Sequence, residues 1–418
     1  MKKLLQSAAV SVAMLGGGAA QAAITLDANG KVLVTPANTY EIYLSGASAV
    51  VGFIENLITN NAVIDAEQIC NPAAPIYKFQ DNGNGTDQNA YYCSINPTNP
   101  QLVGLAAGKT EVLLYKRSAG GSAIGVSPIV ADAKAPANPA AGAVEFLNIS
   151  NPALCTAPPA AGALRVSTCT YSPTVAGQFQ LKKPDFGVSD VDPEQFRGSA
   201  NTPAGFAAVN PADVSLMTVE SAFGQAFGIT ATKNLRDALQ EAQLGAACVG
   251  VESEACMPSL TRDQVASILV GDLDSWADLK IGASDLFAAA SAPLKPGNAR
   301  IHLCVRTNGS GTGATTNLNF LNYPCATSAT PPKVDTGALP EALAQTQVHQ
   351  MSSAGNVDVC LRELDAGNNT IGAGFNNTYT TGTLPHRWAL GIQGLERNAS
   401  LSSAWRFIKI DGVAPTLV

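Results

Sequence analysis

One local pattern occurs three times in this chain: an apolar stretch, a turn of small residues, and then a run with helical spacing. The apolar stretches are 40–44, 111–116 and 301–305, and the turns that follow them are 45–49, 117–122 and 306–312. Strands that alternate with helices in this way predict an α/β protein. Such proteins bind ligands at the carboxyl ends of their strands, so the three turns are the candidate binding segments.

The candidate turns carry groups that bind anions. A helix start offers unpaired backbone N–H groups, and these favour a negatively charged ligand. In the third turn, Arg306 adds a planar guanidinium suited to a tetrahedral oxyanion, next to Ser310, Gly311 and Thr312. The first turn offers the Ser48 hydroxyl and the N–H groups of Ser48 and Ala49, and the second offers Ser118 in a stretch of small residues. Each turn alone has a structural interpretation, such as an N-cap serine.

A fourth apolar stretch, 186–188, ends close to a carboxylate, Asp190. An acidic side chain beside an anion site repels the ligand unless the ligand has a proton to donate to it. Phosphate has such a proton at neutral pH and sulfate does not. Asp190 therefore indicates a protonated oxyanion.

The amino terminus predicts export. Residues 1–22 combine Lys2 and Lys3, an apolar core over 8–15 and a small-residue cleavage site at 20–22, which is typical of a secretory signal peptide. No cysteine follows the cleavage site, so we expect no lipid anchor. The mature protein is predicted to be periplasmic or secreted.

The net charge of the mature chain argues against some classes of partner. Removal of the two signal lysines leaves 23 of the 25 basic residues against 32 acidic ones, which gives a net charge of about −9. A negatively charged protein is not expected to bind nucleic acid or anionic membranes.

The cysteine content agrees with export, because nine cysteines suit an oxidising compartment. Neighbours in sequence suggest the disulfides Cys70–Cys93, Cys155–Cys169 and Cys248–Cys256, and two of Cys304, Cys325 and Cys360 could form a fourth. No Cys-x-x-Cys occurs and the three histidines are far apart, so we expect no metal and no cofactor.

About 396 residues remain after the signal, which predicts two domains. Helical spacing is clearest at 50–58, 234–243 and 260–269, and the last of these has Thr261 at its start and Gly271 after its end. The Ala-, Pro- and Gly-rich stretch at about 122–185 predicts an irregular surface insertion. An extended strand is expected over 216–229.

Taken together, the motifs resemble those of phosphate-binding substrate-binding proteins of ABC transporters, the PstS-like type II periplasmic binding proteins. The resemblance spans most of the chain, and its motifs follow the family's order. They are Gly46-Ala47-Ser48-Ala49, Ser118-Ala119-Gly120-Gly121, Phe186-Gly187-Val188-Ser189-Asp190, the segment from Leu260 through Gly271 to Trp276, and Arg306-Thr307-Asn308-Gly309-Ser310-Gly311-Thr312.

The resemblance implies two α/β lobes joined by crossing strands, with the ligand in the cleft between them. Lobe 1 would be 23–222, lobe 2 would be 223–390, and 391–418 would return to lobe 1. Lobe 1 would supply Ser48, Ala49, Ser118 and Asp190, and lobe 2 would supply Arg306, Ser310, Gly311 and Thr312. The implied protein is a monomer that captures inorganic phosphate for an ABC permease in the inner membrane.

The sequence departs from the family at several points. Ala49 stands where a bulky residue is usual, and Asn308 stands where an acidic residue commonly braces the binding arginine. The insertion and the many cysteines are not typical, and the chain stops at Val418, soon after its last family-like motif. These departures leave open the ligand, the role of the insertion and the permease.

Three other functions compete with phosphate capture. The same fold could hold another protonated oxyanion or a phosphate ester, or the protein could be an exported structural or adhesive protein that has lost its ligand. An enzyme is not predicted: the chain has no Gly-x-Ser-x-Gly nucleophile elbow and no phosphate-binding Gly-x-x-x-x-Gly-Lys motif. Ser310 beside Arg306 has no activating base in the sequence around it.

Overall fold

The computed structural model divides the chain into two compact units. It describes residues 24–59, 67–83, 87–106, 108–221, 224–326, 329–334, 345–367, 386–397 and 404–416. Unit 1 is Met1–Ser189 with Pro211–Ala222, and unit 2 is Asp190–Asn210 with Phe223–Val418. The predicted signal peptide, 1–22, lies outside the described residues.

Unit 1 is built on one six-stranded mixed sheet, in the order β6-β2-β3-β4-β1-β8. Strand β1 lies between β4 and β8 and is parallel to both, so the carboxyl ends of these three strands share one edge of the sheet. The strands are β1 (Thr39–Gly46), β2 (Ile76–Asp81), β3 (Gln88–Ser94), β4 (Glu111–Arg117), β5 (Val144–Leu147), β6 (Leu164–Cys169), β7 (Phe179–Lys182) and β8 (Phe186–Val188). The helices are α1 (Val51–Thr59), α2 (Val103–Ala106), α3 (Ser127–Lys134) and α4 (Pro211–Val214).

Side chains alternate across the unit 1 sheet, so each strand contributes to two apolar layers. On one face, Val112 and Leu114 of β4 pack with Val50, Ile54 and Ile58 at helix α1. On the other face the rings of Tyr43 and Tyr115 stack 4.7 Å apart, and Phe146 meets them edge-on. Both faces of the sheet are therefore covered.

The stretch at about 122–185 is not the irregular insertion that its composition predicted. It contains α3 and a β5–β7 antiparallel pair, and β6 pairs in parallel with β2 as the edge strand of the main sheet. Phe146 and Leu147 of β5 are fully buried. These strands form because strands distant in sequence pair with them, and the local composition does not reveal such pairing.

Unit 2 is built on a five-stranded sheet in the order β14-β13-β15-β9-β16, in which β13, β14 and β15 are parallel. Its main core packs Trp276, Trp388 and Leu303 with helices on one face, and α9 covers the other face. The strands are β9 (Phe227–Thr232), β10 (Ser259–Leu260), β11 (Lys280–Ile281), β12 (Ser284–Asp285), β13 (His302–Arg306), β14 (Gln347–Met351), β15 (Ala389–Gly394), β16 (Trp405–Phe407) and β17 (Lys409–Ile410). The helices are α5 (Lys233–Leu244), α6 (Arg262–Val270), α7 (Leu286–Ala289), α8 (Gly311–Leu321) and α9 (Ala354–Ala366).

Both units are mixed α/β, which confirms the predicted class. The segment 391–418 differs from expectation, because it was expected to return to the first lobe. In the structure β15 and β16 both pair with β9, inside unit 2. The expected strand over 216–229 is also shorter and begins only at Phe227.

Four disulfides are present. Cys70–Cys93, Cys155–Cys169 and Cys248–Cys256 confirm the three pairs that sequence proximity suggested. The fourth is Cys304–Cys360, which joins β13 to α9, and Cys325 is an exposed free thiol. This number of disulfides is typical of proteins from an oxidising compartment.

Candidate functional site

The structure brings two of the predicted turns together at the carboxyl edge of the unit 1 sheet. Ser45 of β1 is in register with Arg117 of β4, so the turns that carry Ser48 and Ser118 leave neighbouring parallel strands side by side. Ser48 and Ala49 are half-buried in the turn before α1, and the Ser48 carbonyl accepts from Val51 N at 3.2 Å. Ser118 is fully buried.

Close backbone packing holds the first turn against β8. Gly46 has φ of +116°, and a Cβ there would lie 2.0 Å from the Val188 carbonyl oxygen. The next residue, Ala47, donates its N–H to that same oxygen at 2.8 Å. Position 46 therefore requires glycine, for both its conformation and its lack of a side chain.

Asp190 follows β8 after one intervening residue, Ser189. It is the first residue of the stretch that belongs to unit 2, and its side chain is half-buried. Asp190 therefore lies just after β8, where the chain passes from unit 1 into unit 2.

In unit 2, Arg306 is the last residue of β13 and is buried. Its guanidinium donates from Nε to the Met351 carbonyl at 3.3 Å and from Nη2 to the Ser352 carbonyl at 2.8 Å. Met351 is the last residue of β14, and Ser352 lies in the connection from β14 to α9. Asn308, two residues further along the chain, donates to the Ser199 carbonyl at 3.3 Å.

Helix α8 begins immediately after Arg306 and its turn. Ser310 is the N-cap, and its hydroxyl oxygen accepts from Gly313 N at 3.3 Å. Ser310, Gly311 and Thr312 are all buried. The first backbone N–H groups of an eleven-residue helix therefore lie beside a buried guanidinium, an arrangement that favours an anion.

A pocket in unit 2 opens onto these groups. Arg306, Ser310 and Thr312 line it, together with the rest of the turn from Thr307 to Gly309. Its other walls are apolar residues of β13 and β15, Ala200, and the segment with Lys333. The structure therefore places three of the four predicted unit 2 residues on one cavity, and Gly311 lies between them in the chain.

Sequence reasoning missed two groups. Lys116 of β4 is fully buried and contacts the first two turns, and Ser352 supplies a carbonyl that braces Arg306. A lysine that directly follows the apolar run 112–115 of β4 was the available signal for the first. Nothing in the local sequence marks the second, because that contact depends on β14 lying next to β13.

Two buried histidines lie on neighbouring parallel strands of unit 2: His302 is the first residue of β13, and His349 is the middle residue of β14. His302 Nδ1 and His349 Nε2 are 3.1 Å apart, and the rings stack. Burial lowers the pKa of His302 well below its ordinary value, and the nearby His349, Arg387 and Arg300 lower it further. His302 is therefore neutral in the folded protein at neutral pH.

Within the described ranges, no three His, Cys, Asp or Glu side chains gather so as to hold a metal ion. None of the helices in that part of the chain has the length and apolar character to cross a bilayer.

Comparison with known proteins shows little similarity. No protein-family model matches the chain, and no curated protein matches it. Among solved structures, it is similar to a Clostridium perfringens protein assigned as a phosphate ABC transporter substrate-binding protein, with bound phosphate. The two are 11% identical, with a TM-score of 0.34, over 90% of this chain and 78% of that one. This similarity is too low to assign a family or a ligand.

Proposed function

We propose that this protein is an exported solute-binding protein that captures inorganic phosphate for an ABC-type uptake system. The observation that carries the proposal is the pocket at the start of α8, where a buried arginine, two buried hydroxyls and the N-terminal backbone of the helix converge. These are the groups that a tetrahedral oxyanion needs. The resemblance in sequence motifs supports the same ligand.

The chemistry of the pocket suits binding without turnover. Ser310 accepts a hydrogen bond from Gly313 N and thereby caps its own helix. No His, Asp, Glu or Cys is among the residues that line the cavity. The Ser310 oxygen is also committed to the helix cap, whereas a catalytic serine needs a side-chain base to take its proton. Hydrolysis of a phosphate ester by the purified protein, abolished by Ser310→Ala, would contradict a binding role.

Selectivity would come from Asp190, which follows the end of β8 and is the first residue of unit 2. A carboxylate accepts a hydrogen bond from the P–OH group of hydrogen phosphate and repels sulfate, which has no hydrogen to donate. We therefore expect phosphate to bind and sulfate to be rejected. The delivery partner would be a membrane permease, and the four disulfides agree with an exported protein.

The test is calorimetric titration of oxidised protein that has first been stripped of bound anion. Phosphate should bind one-to-one, and sulfate should give no heat. Arg306→Ala should weaken phosphate binding by roughly a hundredfold, because removal of a buried charged partner costs about 3 kcal/mol.

Arg406→Ala is the matched control. Arg406 is also a buried arginine of unit 2, 6% exposed against 7% for Arg306, but it bonds Glu252 and the Trp405 carbonyl away from the pocket. Its loss should lower stability and leave the affinity for phosphate intact. Equal affinities in Arg306→Ala and wild type would overturn the proposed site.

A further inference from the structure

Packing alone does not explain Lys116, a buried lysine at the unit 1 edge. It lies on the same face of β4 as Val112 and Leu114, which pack in the apolar layer at α1. Its side chain is nevertheless fully buried. A buried ammonium is costly unless hydrogen bonds replace its water, and an apolar residue would suit this layer better.

The Lys116 ammonium donates hydrogen bonds to oxygens of both candidate turns. Nζ donates to the Gly46 carbonyl at 3.0 Å, the Arg117 carbonyl at 2.8 Å and the Ser118 hydroxyl at 3.2 Å. An ammonium has three N–H groups, so these bonds use all of them. Lys116 therefore has no N–H left for a ligand of its own.

The bond to Ser118 decides what that hydroxyl can do. Since an ammonium only donates, the Ser118 oxygen is the acceptor, and its own hydrogen must point elsewhere. Within the described part of the chain, the Ser118 hydroxyl makes only this one hydrogen bond, although it is 1% exposed. The hydrogen of this buried hydroxyl can therefore be donated to a ligand.

The bond to Gly46 ties the first turn to the second. Gly46 immediately precedes Ala47 and Ser48 in the first turn. Its carbonyl accepts a hydrogen bond from Lys116, which lies on β4, the strand next to β1. One ammonium thus connects the two turns and polarises the buried hydroxyl of Ser118.

We infer that Lys116 is a positioning residue for oxyanion binding, which fixes Ser118 as a hydrogen-bond donor to an unprotonated ligand oxygen. The inference rests on the proposed function and extends it to a residue that does not touch the ligand. It also explains how an acidic protein supplies positive charge at this edge: the charge is buried beneath the turns and reaches the ligand through Ser118.

The experiment is a double-mutant cycle of Lys116→Met and Ser118→Ala, read by calorimetric titration with inorganic phosphate. Each single variant should weaken binding roughly tenfold to a hundredfold, the range for a lost hydrogen bond that is strengthened by charge. Because Lys116 acts through Ser118, Lys116→Met should cost much less affinity in the Ser118→Ala background than in wild type.

Two further variants separate positioning from folding. Lys78→Met removes a lysine from β2 of the same sheet, where it pairs with Glu55 at 2.6 Å, and it should leave phosphate affinity unchanged. If Lys116→Met does not fold, Lys116→Gln, which keeps a donor without the charge, takes its place in the same cycle.

The outcomes are distinguishable. Wild-type protein that binds no phosphate would overturn the proposed function and this inference with it. Wild-type binding with no loss in the Lys116 variant, or with the same loss in both backgrounds, would overturn the inference alone. A loss of affinity confined to the background with Ser118 supports it.

Discussion

Two serines of unit 2 cap helices, and only one of them lies at the candidate site. Ser310 caps α8 and lines the pocket, whereas Ser353 caps α9 with an equivalent bond from Asn356 N at 3.1 Å and does not line it. Ser310→Ala and Ser353→Ala should each lower the free energy of unfolding by about 1 kcal/mol, the usual value for a lost N-cap.

Only Ser310→Ala should also weaken phosphate binding, because its hydroxyl would donate to the ligand. Chemical denaturation measures the first effect, and titration with phosphate measures the second. Equal phosphate affinities for the two variants would show that Ser310 is a cap and nothing more.

Some side chains of the site could be recognised from sequence and others could not. Ser310 and Thr261 were recognisable at helix starts, and both are N-caps in the structure, Thr261 as part of a capping box with Gln264. Such positions depend on residues three or four apart, which the sequence displays directly. The carbonyls that brace Arg306 and the contacts of the buried Lys116 depend on which strands lie side by side, so no local pattern could reveal them.

Helices and strands were unequally predictable. The expected helices 50–58, 234–243 and 260–269 correspond to α1, α5 and α6 within two residues at either end. Their apolar spacing and caps are local properties. Strands β5, β6 and β7 were missed because an Ala-, Pro- and Gly-rich sequence becomes a strand only when a partner edge accepts it.

The connection of β13 to α9 gives a prediction at the scale of elements. Cys304 lies two residues before Arg306 on the same face of β13, and its disulfide holds α9, whose preceding loop supplies the Ser352 carbonyl to Arg306. The double variant Cys304→Ala/Cys360→Ala should therefore lose stability and also weaken phosphate binding, since the brace of Arg306 loosens.

Cys248→Ala/Cys256→Ala is the control, because that pair closes a loop of separation 8 between two short turns that do not line the pocket. Chain entropy predicts about 4 kcal/mol of stability for the Cys304–Cys360 bridge, of separation 56, and about 2.5 kcal/mol for the control. Thermal unfolding and phosphate titration of both variants distinguish the roles. A phosphate affinity equal to that of wild type in Cys304→Ala/Cys360→Ala would show that the bracing of Arg306 does not depend on the disulfide.

At the scale of the whole molecule, the chain alternates between its units. It enters unit 2 at Asp190, returns to unit 1 at Pro211 and enters unit 2 again at Phe223. The sequence predicted two α/β domains, and it missed that β15 and β16 stay in the second sheet. The apolar patterns of β15 and β16 are compatible with either sheet, and it is their pairing with β9 that places them in the sheet of unit 2.

The histidine pair makes the stability of unit 2 depend on pH. The pKa of His302 is lowered in the folded state, chiefly by burial, so the unfolded chain binds a proton at a higher pH than the folded one does. The stabilisation is complete above the ordinary histidine pKa of about 6.5 and is lost as the pH falls below it. We expect the free energy of unfolding to decline between about pH 7 and about pH 5.

Fluorescence isolates this effect, because all three tryptophans, Trp276, Trp388 and Trp405, lie in unit 2. Thermal unfolding followed by tryptophan emission should show a melting temperature that falls on acidification. His302→Gln should flatten that dependence even if it lowers the melting temperature at neutral pH, because no proton can then enter at this position. His386→Gln, a change outside the pair, should keep the wild-type slope. A slope that His302→Gln leaves unaltered would assign the acid sensitivity of unit 2 to other groups.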